Sequence, residues 1–77
     1  MSKEKEKIIK TVDVFCEKMK AKMLESFSNG WDGWDCHNMQ DYLQKKLISN
    51  LIDKDFVHVA NFAMMLDNLK RKESKNE

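Results

Sequence analysis

The sequence has no proline and only two glycines in 77 residues. Without proline, nothing inside the chain forces a helix to break. With glycine confined to positions 30 and 33, the glycine-marked turns fall in one place. Disorder is excluded by the 42% of residues that are apolar. A long apolar run is also missing. The longest, "FAMML" at residues 62–66, is far too short to span a bilayer. The opening "MSKEKEK" has no apolar segment after its charges, so no secretory signal is expected. Two cysteines in that setting fit a reducing cytoplasm, and Cys16 and Cys36 are expected to be free thiols. An excess of either charge is lacking as well. Fourteen cations against thirteen acids leave a formal +1, whereas a nucleic-acid binder usually carries a clear basic surplus. A chain this short holds one domain of modest stability.

What the sequence does have is helical periodicity. Ile9, Val12, Cys16, Met19, Met23 and Phe27 recur at steps of three and four, with Ile8, Phe15 and Leu24 broadening the stripe. This predicts an amphipathic helix over about residues 4–28, closed by Asn29-Gly30. A second helix is expected from Asn38, a good N-cap residue, with Asp41 in its first turn. Its stripe is Met39, Tyr42, Leu43, Leu47, Ile48, Leu51 and Ile52. Asp53-Lys54-Asp55 breaks the pattern, and either aspartate suits the cap of a third helix over about residues 54–72. Ten of the fourteen positions from Phe56 to Leu69 are apolar. Such a helix must be covered on more than one side, which predicts a homodimer through the third helix. The expected fold is all-α: a long helix, a "WDGWD" loop and two further helices in a dimeric bundle, with residues 1–4 and 72–77 frayed.

The connection "NGWDGWDCHN", residues 29–38, gathers both tryptophans and both glycines. Trp31 and Trp34 are expected to fold over the open end of the helical pair, where a small domain needs the buried area. The alternative leaves one of them exposed, as a stacking surface or a protein anchor. With Asp32 and Asp35 they make a candidate binding loop. The two aspartates have the oxygens for magnesium, but Asp and Gly are equally ordinary turn residues. Cys36-His37 is a single pair where structural zinc needs four ligands. On the third helix, Asp55, His58 and Asn61 share one face and form a candidate polar site. The plainer reading is a His and an Asn bonded to backbone or water. No glycine-flanked serine and no phosphate-cradling glycine loop is present.

Taken together, "KMKAKMLESFSNGWDGWDCHNMQDYLQKKL" and "VHVANFAMMLDN" resemble the MazG-like all-α nucleotide pyrophosphohydrolases, and in particular their short phage-type relatives. The likeness covers roughly residues 16–69. Its most specific pieces are Gly30-Trp31-Asp32 and the segment Val59-Ala60-Asn61-Phe62-Ala63-Met64-Met65. The resemblance implies a helical bundle that assembles into dimers or tetramers. It also implies magnesium held by several acids, which activates water against a nucleoside triphosphate. In this chain the second helix, "MQDYLQKKLISNLID", has lysines and neutral residues where those acids are expected. Asp55 matches the first acid of the later pair, and His58 stands in the place of the second. The reading is therefore a non-catalytic binding protein of phage or prophage type, without cofactor, in the host cytoplasm. It would engage a host protein or a nucleotide, and inhibition of a host defence protein is one version. The alternative is a minimal magnesium-dependent pyrophosphohydrolase, with metal at Asp55, His58 and Asp32 or Asp35, and with Lys45 and Lys46 on the phosphates.

Overall fold

A computed structural model describes residues 3–31 and 33–75. Asp32 and the ends of the two frayed segments expected from the sequence, residues 1, 2, 76 and 77, lie outside the described residues. The elements are α1 (Lys3–Ser28), a short 3₁₀ turn (His37–Met39), α2 (Gln40–Ile52) and α3 (Phe56–Lys75). The described residues are helices and connections only, as the 3.6-residue periodicity predicts. None of these helices is long and apolar enough to cross a membrane.

The core sits between α2 and α3. Leu43 of α2 and Phe62, Met65 and Leu69 of α3 are its buried members. Met23, Trp31, Trp34, Met39, Leu47, Met64 and Leu66 pack round them. The spacing 62, 65, 69 is one helical stripe, and α2 lies along it. The second helix to touch α3 is α1, which docks through its C-terminal half, where Phe15, Met19, Met23 and Ser26 are half-buried. The apolar breadth of α3 is thus largely accounted for inside one chain, by a neighbour on each of two faces. Phe56 and Ala63 are the apolar α3 side chains left exposed.

Two helix ends are built alike. At the end of α1 the Gly30 N–H bonds the Phe27 carbonyl, and the Trp31 N–H reaches back to Ser26. At the end of α2 the Lys54 N–H bonds Leu51, and the Asp55 N–H reaches back to Asn50. Both are helix-closing motifs that require one left-handed residue. Gly30 supplies it at φ 91°, and Lys54 supplies it at φ 61° with a side chain attached.

The start of α2 corrects the expectation drawn from Asn38. That residue lies inside the 3₁₀ turn, and neither Cys36 before the turn nor Met39 before α2 makes a side-chain cap. The extra turn supplies the first hydrogen bonds itself, with Met39 N–H bonded to the Cys36 carbonyl. The start of α3 bears out the other capping expectation. Asp55 immediately precedes the helix, and its Oδ1 accepts the His58 N–H at 3.3 Å.

A cavity walled by all three helices

Trp31 and Trp34 are half-buried against the core cluster, in keeping with the expected fold-over. The loop that carries them is held at its far side by Lys72. Its Nζ bonds the Asp35 carbonyl oxygen at 3.2 Å and approaches Oδ2 at 3.5 Å. Asp35 therefore faces the end of α3 and solvent. Cys16 and Cys36 are both exposed free thiols.

Behind Trp31 lies a cavity of about 240 Å³. Lys22 and Ser26 of α1 form one wall, Tyr42 and Lys46 of α2 the opposite one, and His58, Asn61 and Phe62 of α3 the floor. Of the three residues of the candidate polar site, His58 and Asn61 reach this cavity together. Asp55 stands behind His58, its Oδ2 2.7 Å from the ring Nδ1. That ring contact, then the His58 backbone N–H, holds the Asp55 carboxyl below its ordinary value. The His58 ring also stacks on Phe62, centroids 6.4 Å apart.

Asn61 is the buried polar group of the site, at 2% exposure. Its Nδ2 donates to the Met19 carbonyl of α1 at 3.2 Å, a bond that ties α3 to α1 across 42 residues of chain. Its Oδ1 is buried and has no partner. A buried acceptor needs a donor to offset its desolvation, and none of the described residues supplies one. Two ammonium groups flank the same space. Lys22 pairs with Glu25 at 3.2 Å on the exposed side, a contact that contributes little and is easily exchanged. Lys46 lies over the Tyr42 ring, 6.0 Å from its centroid.

This donor set does not fit magnesium. The charged groups nearest the open space are cations, and among the described residues no three His, Cys, Asp or Glu side chains are grouped to hold a metal ion. Lys22 was missed in reading the sequence, because its alternation with glutamates looks like an ordinary solvated face. Lys45, the other lysine offered for phosphate contact, is exposed and away from the cavity wall. Fold and site together describe a small three-helix protein with one aromatic- and lysine-walled cavity. Comparisons with family models, curated proteins and solved structures find no match.

Proposed function

We propose that the chain is a non-catalytic binding protein on a MazG-like helical scaffold, and that the cavity behind Trp31 takes part of a nucleotide. The observation that carries this reading is the unpartnered Asn61 Oδ1. A buried, unpartnered acceptor on a residue that lines the cavity favours a ligand with an N–H donor, which the exocyclic amine or ring imide of a base provides. Trp31, Tyr42 and Phe62 offer flat apolar surface for the ring. Lys22 and Lys46 supply mobile point charges suited to phosphate. The volume, about 240 Å³, falls slightly under the ~300 Å³ that whole small-molecule ligands usually need. The base enters, and the phosphates stay at the lysine-lined mouth.

The non-catalytic half of the reading rests on the second helix, where Lys45 and Lys46 stand among neutral residues at the positions expected to be acidic. The alternative, a minimal pyrophosphohydrolase, draws on the bonded Asp55–His58 pair beside the cavity. One titration separates the two. Calorimetry with each nucleoside mono- and triphosphate, with and without magnesium, is expected to give binding that does not need the metal. Asn61→Leu, which keeps the volume and removes the acceptor, is expected to weaken that binding at least tenfold with the fold intact by circular dichroism. Pyrophosphate release that vanishes in Asp55→Ala would replace this reading with the enzymatic one. Absence of binding by every nucleotide would remove it.

A further inference from the structure

On the opposite flank of the α1–α3 contact lies a second and larger hollow, about 450 Å³, with almost wholly apolar walls. Cys16, Met19 and Met23 of α1 form its floor, and Met64 of α3 and Trp34 of the loop rise beside it. Its methionines are flexible and suit an apolar guest of irregular shape. The same helix that floors this hollow also carries an apolar stripe that nothing covers. Residues 3–14 of α1 are exposed throughout, and among them Ile8, Ile9 and Val12 remain 51–56% exposed.

The stripe and the hollow belong to one periodic pattern. Ile9, Val12, Cys16, Met19 and Met23 are separated by steps of three, four, three and four, the repeat of a two-helix seam. The N-terminal half of that seam is bare, and the C-terminal half is the floor of the hollow. An antiparallel pairing of α1 with the α1 of a second copy therefore seats each bare half on the other's floor. The contact is self-complementary and closes on itself, as a two-fold interface must. In the register that sets Ile9 over the partner's Met19, Glu6 comes beside the partner's Lys20, and symmetry repeats the pair. Asp13 opposes its own copy near the axis and sets a counterweight to those pairs. Leu24 and Phe27, 64% and 69% exposed, flank the same face. A specific stable contact needs on the order of 1,000 Å², and Ile8, Ile9, Val12, Leu24 and Phe27 stand exposed to contribute to it.

We propose that this face of α1 is a homodimer surface, with the N-terminal turns of one copy lying in the apolar hollow of the other. The occupant is a second copy because guest and host are the two halves of one helix. This relocates the assembly expected from the apolar third helix, whose faces are largely taken up by α1 and α2. It does not rest on the nucleotide reading, although the hollow and the cavity share Met23 and Asn61.

The full chain is expected to run as a dimer by light scattering at micromolar concentration. Ile9→Glu with Val12→Glu is expected to give a monomer with unchanged far-ultraviolet circular dichroism, its Trp34 emission shifted to the red as the hollow empties. If the double variant also loses helix, a second variant decides. Val12→Cys in a Cys36→Ser background is expected to form a covalent dimer on mild oxidation, linking the new thiol to the partner's Cys16. Peptide mapping identifies the link. A monomeric wild type at these concentrations overturns the proposal. So does a dimer that survives the double glutamate variant, or a Val12→Cys chain that stays uncrosslinked.

Discussion

The α2–α3 hairpin and the long helix α1 are both amphipathic, and they meet opposite fates. Every side chain buried among the described residues belongs to the hairpin, and none to α1, although α1 is the longest element at 26 residues. Both carry apolar residues at helical spacing. The difference lies in what each stripe faces. Those of α2 and α3 face each other, because a three-residue connection folds them back to back. That of α1 faces α3 only along its second half. A helical period therefore reports a face to be covered, and the cover need not come from the same chain.

The comparison breaks first at its centre. Leu43 is fully buried, at 0% exposure. Leu43→Ala is expected to cost about 3 kcal/mol, the usual result for a leucine removed from a packed core. In a domain this small that is a large part of the total. Val14→Ala, on the exposed stretch of α1, is expected to change stability by less than about 0.5 kcal/mol. Urea unfolding followed by tryptophan fluorescence measures both. Similar costs for the two would mean that α1 contributes to the core as much as the hairpin does.

The two helix ends sharpen the contrast at smaller scale. Gly30 and Lys54 occupy the same left-handed place in the same motif, at the ends of α1 and α2. A side chain there costs about 1 kcal/mol or more. Lys54→Gly is expected to stabilise by about 1 kcal/mol, less the extra freedom it gives the unfolded chain. Gly30→Ala is expected to destabilise by a similar amount. No atom crowds the position where its Cβ would stand, so the whole cost is backbone. If Lys54→Gly proves neutral or destabilising in urea, the strain assigned to Lys54 is not there.

Much of this was legible in the sequence, and the misses have physical reasons. Asn29-Gly30 marked the end of α1 because both residues tolerate the left-handed conformation. Lys54 does the same job unseen, since lysine carries no such signal. Asp55 read correctly as a cap. Asn38 did not, because a 3₁₀ turn satisfied the backbone before α2 began. The broad apolar pattern of α3 told of cover on two sides but could not say whose. The cavity was only half visible. His58 and Asn61 share a helix face, which spacing reveals. Lys22 and Lys46 come from two other helices, and only the way those helices cross α3 brings them to the same mouth. The unpartnered Oδ1 of Asn61 depends on where Met19 falls, 42 residues earlier, and no local pattern encodes that.

The smallest expected effect lies where α3 begins. The Asp55 carboxyl is held below its ordinary 3.8 by the His58 ring and then by the His58 N–H. A lowered folded value means that the unfolded chain takes up the proton first. The stabilisation is therefore complete above the unfolded value and is lost as pH falls through the folded one. Asp55→Asn keeps an oxygen able to cap the helix and removes the titration. The stability advantage of the wild type over Asp55→Asn that comes from this carboxyl is expected to be complete at about pH 5 and to shrink progressively below it. Both groups are partly open to water, so the effect is modest and is screened further by salt. Thermal melts of the two proteins from about pH 6 to about pH 2.5, in low and high salt, measure the difference directly. A difference that stays level across that range would show that Asp55 holds the start of α3 by geometry alone. The start of α3 would then owe its stability to capping and packing and not to charge.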